Sequence, residues 1–260
     1  VILAALGALI VGLSLGLLGS GGSILTVPIL VYLLHQPDKV AIAGSLAIVG
    51  GIALVGAVRY AHQRLVSWRH VALFGIPGIA ATYAGAWVSG FVPGAVQLVV
   101  FAVIMGLASW SMLRPPRLAG EGPEPHPAWL VAAGLGVGLV TGFVGVGGGF
   151  LIVPALVILG GLTMHRAIAT SLSVIVINAA SGFYKQHEVI GNAGLSLDWR
   201  VIGLFLVIGG VGSLAGNYAA RRIPRHRLRQ GFGFFLILMC GFILWRSIPP
   251  LLAHGAAAVH

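Results

Sequence analysis

Ten apolar runs separated by short connections take up nearly all of this 260-residue chain. They fall at about 1–18, 22–34, 40–58, 70–90, 95–113, 128–145, 148–162, 166–184, 200–220 and 231–248. Only 8% of the residues are charged and 58% are hydrophobic. A soluble domain carries about 25% charged residues, because its surface must stay hydrated. So few charges cannot coat a water-soluble globule of this size, and the bilayer must be the solvent for most of the surface. The fold class that follows is an all-α polytopic membrane protein. A helix needs about 20 residues to cross the hydrocarbon core, and six runs come near that length: 40–58, 70–90, 95–113, 166–184, 200–220 and 231–248.

The net charge of +10 does not point to nucleic acid. The basic residues sit in short loops between apolar runs, the pattern of cytoplasmic loops, whereas nucleic-acid tails are polar throughout. The single cysteine, Cys240, lies inside an apolar run, so no disulfide framework or thiolate metal site is expected. The first segment has neither a basic start nor a cleavage-like site, and reads as structure and not as a signal peptide.

Two runs, 22–34 and 148–162, are short, and each follows a glycine cluster that interrupts a helix. The clusters are Gly19-Ser20-Gly21-Gly22 and Gly145-Val146-Gly147-Gly148-Gly149. Between the two halves, Arg114 to Pro127 contains five prolines and reads as a linker. The sequences on either side repeat each other. Gly16 to Leu30 aligns with Gly142 to Leu156 at an offset of 126, with Pro28 matching Pro154. Ala41, Ala43, Ser45 and Leu46 match Ala167, Ala169, Ser171 and Leu172 at the same offset. After five extra residues, Trp68-Arg69 matches Trp199-Arg200. The expected organisation is one membrane domain over 1–260, with a first repeat over 1–113, a linker over 114–127 and a second repeat over 128–248.

Charge distinguishes two topologies. With four full crossings in each half, the two sides carry seven and eight Lys/Arg, which is no bias. If instead the first two runs of each half form a re-entrant hairpin, three full crossings follow and the halves are inverted. One side then holds Arg59, Arg64, Arg69, Arg114, Arg117, Arg166, Arg221, Arg222, Arg225, Arg227 and Arg229. The other holds Lys39, Lys185, Arg200 and Arg246. Eleven against four favours two inverted repeats, with the richer side cytoplasmic and both termini outside. Each repeat is then a glycine-broken re-entrant helix pair plus three transmembrane helices. A run of about 13 residues rises about 20 Å, short of a crossing of about 30 Å.

In that arrangement both breaks lie near mid-membrane, and each opens the N-terminus of a short helix. Helix N-termini present unpaired N–H groups and partial positive charge, and glycine lets an anion approach the backbone. The candidate substrate-binding residues are therefore Ser20, Gly21, Gly22 and Ser23 in the first copy, and Gly147, Gly148 and Gly149 in the second. Close helix packing is the competing role for such glycines. Ser45, Thr170, Ser171 and Asn178, inside apolar runs, complete the expected lining, although Ser and Thr often bond their own helix backbone instead. An Asn in a membrane helix is costlier and more informative.

No Asp or Glu lies well inside any run, which argues against cation transport and a buried carboxylate relay, and suits an anion. His35, His62, His165 and His187 lie near helix ends, where a solvated role leads and proton coupling is the alternative. The six tryptophans mostly sit near run ends and read as interface anchors. There is no Cys/His metal spacing and no Walker lysine after the glycines, so no metal or cofactor is expected.

The paired Gly-x-Gly-Gly-x-x-Leu-x-Val-Pro motifs, Gly19 to Pro28 and Gly145 to Pro154, resemble the sulfite exporter TauE/SafE family of permeases. So does Arg166-Ala-Ile-Ala-Thr-Ser-Leu172, with its counterpart Val40-Ala-Ile-Ala-Gly-Ser-Leu46. The resemblance covers about residues 5–248. It implies outward movement of small sulfur-containing or organic anions, such as sulfite, sulfonates or thiosulfate, across a bacterial cytoplasmic membrane. The first copy departs from the fuller pattern, with Ser23 for the last glycine and Gly44 for Thr170. The alternatives are an anion channel and a membrane-embedded enzyme acting on a sulfur compound. No nucleophile constellation is evident for the latter.

Overall fold

The computed structural model describes residues 2–18, 23–113, 127–220, 230, 234 and 237–245. Among them there is no strand. Five helical elements precede the proline-rich stretch: α1 (Ile2–Leu18), α2 (Ser23–Leu33), α3 (Asp38–His62), α4 (Trp68–Ser89) and α5 (Gly94–Leu113). Five follow it: α6 (Pro127–Val144), α7 (Gly149–Ile158), α8 (Met164–Asn192), α9 (Trp199–Ala220) and α10 (237–245). These elements coincide with the ten apolar runs. α4 widens to a π-helical turn over Val71–Gly75, just before Pro77. Proline brings no N–H and crowds the carbonyl four residues back, and a wider turn relieves both.

Five helices are long and apolar enough to cross a membrane: Asp38–His62, Trp68–Ser89, Pro127–Val144, His165–Asn192 and Trp199–Gly216. The described residues expose many large apolar side chains. Phe91 is 71% exposed and Val207 69%, and all six tryptophans are exposed near helix ends. Water would penalise such a surface, whereas lipid accepts it and aromatic rings favour its interfaces. Pro127–Val144 reaches crossing length although the sequence reading gave it to a re-entrant pair. Length alone does not separate a crossing from one arm of a hairpin; packing does.

The first two elements are not one broken rod. A Cβ on Gly7 of α1 would lie 2.7 Å from Ile29 and 3.4 Å from Leu33, so α2 turns back beside the start of α1. In the second copy, the His70 ring meets the Gly160 carbonyl just after α7, while Gly134 of α6 rests on Phe74. α7 therefore returns to the level at which α6 begins. The four-crossing alternative needs a colinear α1 and α2, whereas here α2 lies beside α1.

Close contacts pair the halves crosswise. α1 lies along α9, where a methyl on Gly12 would strike the Gly209 backbone, and one on Gly216 the backbone of Leu13 and Leu17. α6 lies along α4 in the same manner: Gly138 abuts Gly78, and Gly85 abuts the backbone of Leu139 and Phe143. Each residue of the second set stands 126 or 131 positions from its counterpart in the first. Between them, α3 crosses α8. Leu172 reaches 3.0 Å from a Cβ on Gly56, and Leu46 reaches 3.2 Å from one on Gly182. Gly56 and Gly182 differ by 126, as do Leu46 and Leu172, so the two contacts exchange under a two-fold operation. Along α3 the contacts rise from 46 to 56 while along α8 they fall from 182 to 172. These equivalent helices are antiparallel.

Candidate functional site

The second glycine break is the best-defined feature at the centre of this packing. α6 ends at Val144, and the next residues adopt no helical turn until Gly149. Gly145 (φ +76°) and Gly148 (φ +64°) take left-handed conformations that cost a residue with a Cβ about 1–2 kcal/mol. The Gly145 N–H still donates to the Thr141 carbonyl at 2.8 Å, and the Gly148 N–H turns back to the Val146 carbonyl. Gly148 then serves as the N-cap of α7, with no side-chain cap.

Every residue from Val144 to Phe150 is buried. Non-helical backbone at membrane depth needs protein around it, and here three helices supply it. Ile42 of α3 packs on Gly145, Val49 of α3 and Ile175 of α8 pack on Gly147, and the Thr141 hydroxyl lies against Gly148. The Ser45 hydroxyl donates to the Gly145 carbonyl and to its own Ile42 carbonyl, the latter at 2.8 Å. One half of the chain thus holds the broken loop of the other.

Among the sequence-predicted residues, Ser45, Gly147, Gly148 and Gly149 come together here. Ser20, Gly21 and Gly22 lie outside the described residues. Ser23 is buried in the first turn of α2. Ser171 donates to Ile168 at 2.8 Å, the local geometry of Ser45 and Ile42 repeated at an offset of 126. Thr170 is placed differently: its hydroxyl accepts the Ser67 N–H at 3.0 Å, tying α8 to the α3–α4 connection. Asn178 is fully buried one turn beyond Ile175, with its amide against Gly78 of α4.

Three polar features escaped the sequence reading. Thr82 of α4 and Thr141 of α6 are buried, and their hydroxyls have no hydrogen-bond partner within the protein. The same holds for both amide atoms of Asn178, so these three residues account for four of the six such atoms among the described residues. Each costs about 1–3 kcal/mol when left unpaired. The third feature is the buried amide of Gln186, which donates to the Ser89 hydroxyl at 2.7 Å and to the Gly142 carbonyl at 3.1 Å. Gln186 falls just past the end of the run 166–184, where a polar residue looks like an interface residue.

A cleft opens on the opposite side of the α3–α8 crossing. Leu15 and Gly16 of α1, Ile52 and Tyr60 of α3, Leu172 of α8 and Ser213 of α9 line it. Its walls are mostly apolar. Among the described residues, acidic side chains keep away from both regions: Asp38 and Asp198 lie at helix starts, and Glu188 pairs with Lys185 at 2.8 Å near the end of α8.

A protein-family model for the sulfite exporter TauE/SafE matches residues 4–243. The chain belongs to the TauE/SafE sulfite exporter family. A "Probable membrane transporter protein" of Xylella fastidiosa is 31% identical over 257 residues, covering 94% of this chain and 95% of that protein. The "Probable membrane transporter protein YunE" of Bacillus subtilis is 31% identical over 218 residues, covering 74% of this chain and 79% of that protein. A "Probable membrane transporter protein" of Haemophilus influenzae is 24% identical, with 88% of this chain and 92% of that protein covered. No solved structure matches the chain. TauE/SafE membership and the crossing-length helices make this a multi-pass membrane protein of the transporter class.

Proposed function

We propose that the chain is a secondary transporter, working as an exporter, of small anions such as sulfite, sulfonates or thiosulfate. Its place is the bacterial cytoplasmic membrane. The observation that carries this reading is the buried start of α7, with left-handed Gly148 at the N-cap and Ser45 of the opposite half fixing the loop. An N-terminus of this kind offers N–H groups and partial positive charge to an anion. The glycines themselves add no side chain there, and in this packed arrangement Val49, Ile175 and the Thr141 hydroxyl close over them. Ser45 lies beside the loop and Asn178 one turn along α8 from Ile175, and among the described residues no carboxylate is buried there to repel the charge.

The antiparallel α3 and α8 support an inverted arrangement of the two halves in the bilayer. Arg59, Arg64 and Arg69 then face the cytoplasm beside Arg166, as the positive-inside rule requires. Broken helices facing each other at the midplane of inverted repeats are a recurrent transporter plan. Proteoliposomes holding the purified chain test the reading. Saturable, gradient-driven flux of sulfite or thiosulfate, with the anion recovered unchanged, is expected. Chemical conversion of the anion would favour the membrane-enzyme alternative, unsaturable flux a channel, and no flux of any of these anions would end the proposal.

A further inference from the structure

The two-fold relation allows each wall of the open cleft to be compared with its counterpart across the α3–α8 crossing. Leu15 corresponds to Thr141, Ile52 to Asn178 and Tyr60 to Gln186 at an offset of 126, and Ser213 to Thr82 at 131. Because the first member of each pair lines one cleft, the second members gather about one equivalent place. Contacts agree: Thr82 packs on Gly182 and its backbone on Gly142, Asn178 lies on Gly78, and Gln186 donates to Gly142. α4, α6 and α8 meet there within about one helical turn.

The two places differ in two respects. The cleft is open, with Gly16, Tyr60 and Ser213 only half-buried, whereas Gly142, Gln186 and Thr82 at the matching positions are buried. The open side is mostly apolar, whereas the shut side carries two hydroxyls and one amide that no protein group satisfies. A packed membrane core would use Leu and Ile at the Thr141 and Asn178 positions, as the counterpart does with Leu15 and Ile52. Buried polar groups on neighbouring helices that are left unpaired call for a hydrogen-bonding ligand.

We infer that Thr82, Thr141 and Asn178 form a binding station for a small oxyanion, in the half of the transport path that is closed in this structure. The inference rests on the transporter reading above. Two hydroxyls and a carboxamide N–H supply donors to several oxygens of one ligand, and an apolar ligand would leave them unpaired. Gln186, bonded to Ser89 and Gly142, covers the station.

Variants that copy the open side test it. Thr141→Leu and Asn178→Ile install the residues of the counterpart positions, and Thr82→Val removes a hydroxyl at constant shape. Each is reconstituted as the full chain, with uptake of radiolabelled sulfite followed below saturation and melting followed in detergent. The expected result is melting at or above the wild-type temperature with uptake about tenfold lower per lost hydrogen bond to the anion. Thr82→Ser, which keeps the hydroxyl, should hold uptake within about twofold of wild type. If either larger variant fails to fold, Thr82→Val against Thr82→Ser carries the decision. Wild-type uptake in Thr82→Val, or in folded Asn178→Ile, overturns the station and leaves the transporter reading standing. Absence of uptake by the wild-type chain overturns both.

Discussion

The Ser45 hydroxyl donates to the carbonyl of Gly145, a residue 100 positions later in the other half of the chain. Both groups are buried. Ser45→Ala leaves that carbonyl without the donor and adds no bulk. The expected loss is about 1 kcal/mol of stability, as for a buried hydrogen bond. The glycine loop should loosen with it. Thermal denaturation in detergent should show the loss, and anion uptake by Ser45→Ala should fall more than the change in folded fraction explains. An unchanged melting temperature would remove Ser45 as the anchor of the loop.

The left-handed glycine at the start of α7 makes a second case. Gly148→Ala meets a backbone penalty of about 1–2 kcal/mol, and its methyl would be driven into the Thr141 hydroxyl. Gly203→Ala is the control, since Gly203 is helical in α9 and nothing lies within 4 Å of an added Cβ. There the substitution should be neutral or stabilise by up to about 1 kcal/mol through helix propensity. The two melting temperatures should move in opposite directions, or only the first should move. Equal stability of both variants would deny Gly148 its special conformation.

The break at Gly145–Gly148 was legible as a glycine cluster followed by Pro154, and Asn178 stood out as a lone Asn in an apolar helix. Charge counting pointed to a hairpin, and in the structure Ile29 and Leu33 of α2 lie beside Gly7 of α1. Thr170 was legible as a polar residue but its partner was not, since the Ser67 N–H arrives from 103 residues away. Thr82 and Thr141 were passed over for a sound reason: threonines in helices usually bond their own backbone. Here both hydroxyls lack that bond, which only the assembled helices reveal.

Close glycine contacts between helices give a third prediction. In lipid, helices gain nothing from hiding apolar surface from each other, so backbone approach through small residues carries the packing. Gly142→Ala would push a methyl onto the Thr82 carbonyl and the Ala86 N–H, prising α4 from α6. Gly136→Ala on the same helix meets nothing within 4 Å. Gly142→Ala should cost about 1–3 kcal/mol, the range for overpacking, while Gly136→Ala should not destabilise. Tolerance of Gly142→Ala would mean that α4 and α6 have room to separate.

Direction across the membrane is testable from the antiparallel pair α3 and α8. Arg64 follows the end of α3, and Gly194 follows the end of α8. If the two helices cross in opposite senses, these two connections lie on opposite faces. The Arg-rich face, with Arg59, Arg64 and Arg69, should be cytoplasmic. Single cysteines placed by Arg64→Cys and Gly194→Cys in a Cys240→Ala background check this. A membrane-impermeant thiol reagent added to intact cells should label Gly194→Cys alone, and Arg64→Cys should react only after the membrane is opened. Both positions lie in turns with left-handed backbone; Gly194 has open space around an added Cβ, and its cysteine costs about 1–2 kcal/mol of local strain outside the helices. Labelling of both from outside would rule out opposite crossings of α3 and α8, and with them the inverted arrangement on which mid-membrane anion binding depends.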